Sequence, residues 1–154
     1  MEFEYGALSD VGRVRTNNED AVMVDAAHGV AVLADGMGGY NAGEIASGMA
    51  ITYICTEMSR WLAQAGTTPP ATDVRRALEL CVENANHAIL GASLSNPQYS
   101  GMGTTLVVGV FQCDRLILGH IGDSRCYRLR AGVLQLITRD HSWLQEQIDL
   151  GLLT

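Results

Sequence analysis

Gly29-Val30-Ala31-Val32-Leu33-Ala34-Asp35-Gly36-Met37-Gly38-Gly39 is an apolar run that ends on a carboxylate and a cluster of glycines. Residues 29–34 have the length and the aliphatic content of a strand, and a strand set in a core fixes the position of the acid that follows it. The glycines beyond Asp35 let the backbone approach a ligand closely and take dihedrals that other residues avoid. Alone, the stretch also reads as a glycine turn with a solvated aspartate. Working backwards, residues 21–24 supply a partner strand, joined to the first through a tight turn at Asp25-Ala26-Ala27-His28. A polar turn region, residues 9–20, precedes it, and residues 3–8 read as a further strand.

Working forwards, a helix is predicted to start near Asn41. Asn is a good N-cap, and Glu44 three residues later has the spacing of a capping box. Ile45, Met49, Tyr53, Met58, Trp61 and Leu62 form one broad apolar stripe. Pro69 and Pro70 mark a loop over residues 66–71. A second helix is predicted over 72–94, with Val74, Ala77, Leu78, Cys81, Val82, Ala85, Ala88, Ile89 and Ala92 at helical spacing. After Asn96-Pro97 the pattern turns to β-branched and aliphatic runs, 104–111, 115–121, 124–129 and 133–137, with links so short that they imply antiparallel hairpins. Residues 143–150 open another helix. Strands, two consecutive helices and strands again make an α+β fold, with helices laid on sheet faces. Residues 1–154 are expected to form a single domain.

The composition is that of an ordinary globular chain, 47% hydrophobic and 18% charged. The 17 acidic and 10 basic residues give a net charge of -7, which argues against duplex nucleic acid as a partner and leaves room for carboxylates around metal ions. No apolar run reaches the roughly 18 residues needed to span a bilayer, and Met1-Glu2-Phe3-Glu4-Tyr5 has neither the basic start nor the apolar stretch of a secretory signal. The expectation is a cytoplasmic protein without a membrane partner. Cys55, Cys81, Cys113 and Cys126 lie far apart and are expected to be small buried apolar side chains in a reducing compartment.

Three further clusters stand beside Asp35. Arg15-Thr16-Asn17-Asn18-Glu19-Asp20 places two adjacent carboxylates in a polar loop, where they repel unless solvent or a cation compensates. Arg15 offers a planar fork suited to phosphate oxygens. Gly119-His120-Ile121-Gly122-Asp123-Ser124-Arg125 sets an aspartate in a tight turn between strands, and Thr138-Arg139-Asp140-His141-Ser142 closes a strand or caps the next helix. Each, alone, is also a plain surface loop or hairpin tip. Asp35, with its carboxylate, and Gly36, with its carbonyl, can supply the oxygen ligands that a hard cation such as Mg²⁺ or Mn²⁺ takes.

Together and in order, these clusters resemble the PPM, or type 2C, protein phosphatase family. Residues 9–20 look like its first motif and Ala34-Asp35-Gly36-Met37-Gly38-Gly39 like its metal motif. Gly103-Thr104-Thr105 is similar to the motif after the two helices, and Gly122-Asp123-Ser124-Arg125 and Asp140-His141-Ser142 to the next two. Met37, where many eukaryotic members carry His, points to the bacterial branch. The resemblance implies a β-sandwich of two antiparallel sheets with helix pairs on both outer faces. It implies hydrolysis of phosphoserine or phosphothreonine in proteins by a water activated on two Mn²⁺ or Mg²⁺ ions. Asp35 would bridge the ions and the Gly36 carbonyl would bind one of them. Glu19 and Asp20 would contact metal or its waters, Asp123 would hold a third, weaker ion, and Arg15 would bind the substrate phosphate. Thr104, Thr105, Asp140 and His141 would support these groups.

Family members carry two further aspartates, in Ser-Asp-Gly and Asp-Asn motifs, and neither motif follows Asp140 here. The expectation is an N-terminal portion of such a domain, short of its final strands. Alone it would be a poor phosphatase, prone to self-association through exposed sheet edges. The competing readings are a non-catalytic, phosphatase-like scaffold and, more weakly, a nucleotide-binding protein that uses Gly36–Gly39 as a phosphate loop.

Overall fold

The fold is described by a computed structural model, which covers residues 3–39 and 42–152. Two strands, β1 (Asp20–Asp25) and β2 (Val30–Met37), lead into two long helices, α1 (Ala42–Ala65) and α2 (Ala71–Ser95). A 3₁₀ turn (Pro97–Tyr99) follows, then β3 (Gly103–Thr104), β4 (Leu106–Gln112), β5 (Arg115–Ile121), β6 (Tyr127–Arg130), β7 (Val133–Leu136) and a short helix, α3 (Trp143–Asp149). The architecture is α+β, as expected. One antiparallel sheet runs in the order β1-β2-β4-β5, with β3 added to the end of β2, and β6 and β7 form a separate hairpin. The β6–β7 turn uses Ala131 and Gly132, both at positive φ (50° and 77°), which matches the twist a two-residue hairpin loop requires.

Strand alternation decides where the core lies. Val30, Val32 and Ala34 are at most 1% exposed and face the helices, whereas Leu33, pointing the other way, is 42% exposed. Helix α1 lies over β2 and β1, and α2 packs on α1. Between them they close a core that includes Ile54, Met58, Val74 and Val108; burying each such side chain contributes about 1.5–3 kcal/mol. The opposite face of the sheet carries Val22, Val24, Ala31, Leu33, Val107 and Leu118 along an open groove.

The helix stripe differs from expectation. The row of α1 that meets the sheet is Ala42, Ala46, Ala50, Ile54, Met58 and Leu62, small residues at the start and large ones at the end. Ile45 is 36% exposed, while Met49, Tyr53 and Trp61 flank the core. Helix and strand come close at the α1 start, where a Cβ on Gly36 would lie 2.0 Å from the Gly43 carbonyl oxygen, so the bulky residues sit aside. The predicted N-cap, Asn41, lies outside the described residues. Residues 3–8 form no strand; Phe3 and Tyr5 instead pack their rings on Phe111, with centroids 5.3 and 5.6 Å away. Among the described residues no backbone ladder pairs with that segment, and aromatic packing ties it to β4. Helix pairs were expected on both outer faces; the described residues supply one pair, on one face, since α3 is only 7 residues long. Cys55 is buried as expected, but Cys113 is exposed, at positive φ in the β4–β5 turn.

Candidate metal and phosphate site

The β1–β2 ladder sets the site. In its register Asp20 stands directly opposite Asp35, and residues opposite one another in an antiparallel pair point to the same face. Two carboxylates so placed repel, and at Asp35 that repulsion adds to the effect of burial. Its pKa is raised, first by burial, then by the charge of Asp20 and hydrogen-bond contact with it, then by the charge of Asp123; Arg15 opposes the shift. The distant clusters of the sequence therefore converge. Asp20, Asp123 and Arg15 all lie within electrostatic reach of Asp35.

Side chains fold the loop that leads into β1. The Asp10 carboxylate accepts the Gly12 N–H (2.7 Å) at a glycine with φ of 76°, and Asn18 Oδ1 accepts the Asp20 N–H (3.0 Å). These are Asx turns, in which a short polar side chain stands in for a backbone partner. Asn18 also donates to Ser9 Oγ (2.6 Å). The loop encloses a cavity of about 270 Å³ with Arg15, Asn18, Glu19, Asp20 and Asp35 in its wall.

Glu19 lines the same cavity, but its carboxyl group rests on the start of α1: a Cβ at Gly43 would lie 2.7 Å from Glu19 Cδ. Its backbone carbonyl is clamped from both sides, by the Gly36 N–H (3.1 Å) and by the buried Ser47 hydroxyl (2.6 Å). Gly36 itself admits no side chain, because a Cβ there would sit 2.0 Å from the Gly43 carbonyl oxygen and 2.8 Å from that of Glu19. Gly43 and Ser47, which position Glu19, were not singled out by motif reading. A glycine and a serine inside an otherwise apolar helix row were the available signal.

Asp123 follows β5 in a bend that other residues hold. Gly122, at φ of 95°, packs on Thr105, and the His141 N–H donates to the Gly122 carbonyl (2.8 Å). Arg125 makes a two-pronged contact with Asp140, Nε to Oδ1 at 2.9 Å and Nη2 to Oδ2 at 2.6 Å. The Asp140 carboxyl is thereby held below the usual range. Ser142 caps α3 by accepting the Gln145 N–H (3.2 Å), so the Asp140 cluster ties the β5–β6 turn to the start of α3.

Among the described residues no three His, Cys, Asp or Glu side chains stand close enough to ring an ion. The paired carboxylates of Asp20 and Asp35 still fit Mg²⁺ or Mn²⁺, since such ions are commonly held by one or two carboxylates and keep several waters.

The protein phosphatase 2C family model matches residues 12–147. The chain is 43% identical over its whole length to the serine/threonine protein phosphatase PstP of Mycobacterium tuberculosis, of which it spans 28%. It is 39% identical, over 98% of its length, to protein phosphatase PhpP of Streptococcus pneumoniae, of which it spans 60%. A crystal structure of the PstP catalytic domain in complex with two manganese ions superposes on 96% of this chain with a TM-score of 0.78 and 42% identity, the chain covering 60% of that one. The ordered motifs, the sheet and helix arrangement and these matches agree: the chain belongs to the protein phosphatase 2C family.

Proposed function

We propose that the protein hydrolyses phosphoserine and phosphothreonine in other proteins, with divalent cations gathered at Asp35. The observation that carries this reading is the cross-strand pairing of Asp20 and Asp35 beside Arg15. An all-oxygen donor set suits Mn²⁺ or Mg²⁺, and the similar PstP domain is described in complex with two manganese ions. Asp35 is the group that two ions would share, with the Gly36 carbonyl, Asp20 and Glu19 as the neighbouring oxygen donors, and Asp123 would take a third ion. Bound there, such ions lower the pKa of a coordinated water and offset charge on phosphoryl oxygens. Arg15 orients the substrate phosphate through its guanidinium fork.

The partners are phosphorylated proteins made by a serine/threonine kinase, and the setting is the cytoplasm; no described helix is long and apolar enough to cross a membrane. Residues 1–154 form the N-terminal portion of one phosphatase domain, in keeping with their 60% coverage of the PstP catalytic domain. The uncovered sheet face and the β5 edge favour self-association of the isolated chain.

Hydrolysis of a phosphothreonine peptide by the intact protein, with and without Mn²⁺, tests this reading. Arg15→Ala is expected to raise KM and to weaken inhibition by inorganic phosphate by roughly 10–100-fold, the loss of one charge-assisted contact. A wild-type protein that binds phosphoprotein without turnover, and an Asp35→Ala variant that loses Mn²⁺ but keeps that partner, would mark a non-catalytic scaffold instead.

A further inference from the structure

On the side that faces β3 and β4, the Asp35 main chain is not held by an ordinary ladder. Gly36 pairs with Thr104 of β3 and Leu33 with Val107 of β4, and Thr105 sits at the break between those two strands. At that break the Thr105 N–H donates to the Asp35 carbonyl (2.9 Å), but the return bond, from the Asp35 N–H, goes to the Thr105 hydroxyl (3.0 Å). A side chain has taken the acceptor's place. The Thr104 hydroxyl adds a second donor to the Asp35 carbonyl (3.0 Å).

The same Thr105 hydroxyl reaches the other loop. It shares a hydrogen bond with Ser124 Oγ (2.7 Å), next to Asp123. Its methyl group fills the space above Gly122, where a Cβ would come within 2.8 Å. Thr105 is 9% exposed, so neither bond is readily replaced by water, and leaving a buried partner unsatisfied destabilises more than the bond itself contributes.

We infer that Thr105 is a positioning residue whose hydroxyl couples the Asp35 and Asp123 loops, so that the two carboxylates take up divalent cations as one unit. The inference deepens the proposed function and rests on it for the metal, but the coupling itself can be read without metal.

The test uses the intact protein with Thr105→Val, which keeps shape and loses the hydroxyl, Thr105→Ser, which keeps the hydroxyl, and Ser124→Ala, which cuts only the second bond. In metal-free buffer, hydrogen exchange of the Asp35 amide should quicken about tenfold in Thr105→Val, the loss of one buried bond. It should return to near wild type in Thr105→Ser and stay unchanged in Ser124→Ala. In a Mn²⁺ titration, Thr105→Val and Ser124→Ala should each weaken binding by roughly 10-fold, within the range of lost supporting contacts, and Thr105→Ser by much less. An Asp35 amide indifferent to Thr105→Val, or a Thr105→Ser variant that behaves like Thr105→Val, overturns the coupling. If wild type itself binds no Mn²⁺, the functional reading fails, while the exchange result still decides the hydroxyl's role.

Discussion

Asp35 and Asp140 are both aspartates in motif clusters, and their surroundings are opposite. Asp140 is clasped by the Arg125 guanidinium at 2.9 and 2.6 Å, and that contact lowers its pKa. Asp35 faces another carboxylate across the β1–β2 ladder, and its pKa is raised, first by burial and then by that neighbouring charge. The first pair is satisfied within the chain and joins the β5–β6 turn to the segment before α3. The second is left in electrostatic conflict by the fold, with Arg15 opposing it. Charges that answer one another build the scaffold, and charges that do not are where a ligand has something to supply.

This contrast can be broken in three ways, from the largest expected effect down. Asp35→Ala should abolish the rise in melting temperature that Mn²⁺ produces in the intact protein, a rise equivalent to about 2.7 kcal/mol at a hundredfold excess over Kd; Asp140→Ala should keep it. A Mn²⁺ shift that survives Asp35→Ala would make the two aspartates equivalent.

The next effect concerns the metal-free protein. An acid whose folded pKa lies above its unfolded value takes up protons on folding, so its contribution falls as pH rises through that window. Asp35→Asn should therefore be more stable than wild type at pH 7, by about 0.5 kcal/mol once solvent screening is allowed for. The gap should close on acidification as Asp35 protonates. Thermal melts of both proteins in chelator from pH 7 to 4 check this.

The smallest effect belongs to Arg125→Gln. A carboxylate with a depressed folded pKa stabilises above its unfolded value, near 3.9, and that contribution is lost as pH falls through the folded one. The variant should lose little at pH 7, show a blunted acid response below pH 4, and keep its full Mn²⁺ response. Melting curves at pH 7 and pH 3 measure all of it.

Much of this was legible in the chain itself. The β1–β2 pair, both long helices and the β4–β5 hairpin follow from periodicity and turn residues, and the ordered motifs contain Asp20 and Asp123, whose charges act on Asp35. Contacts between elements were less legible. Bulk marks a core in sequence and draws the α1 stripe through Ile45 and Met49, whereas closeness to β2 selects Ala46 and Ala50. Residues 3–8 alternate like a strand, yet a strand exists only where a neighbour meets its backbone. Glu19 and Asp20 look equivalent as adjacent acids, but alternation along the chain sends one against Gly43 and the other across to Asp35. Thr105 has no signal beyond its motif, since its role depends on a ladder broken by two strands that are adjacent in sequence.

The most direct test of the Asp20–Asp35 pair as the nucleus of the cation site is a calorimetric Mn²⁺ titration of the intact protein with Asp20→Asn, Asp35→Asn and the double variant. If the two carboxylates hold cation together, each single change should weaken Mn²⁺ binding strongly, and the double change should lose clearly less than the sum of the two. Affinity untouched by Asp20→Asn, or losses that simply add, would contradict a shared site.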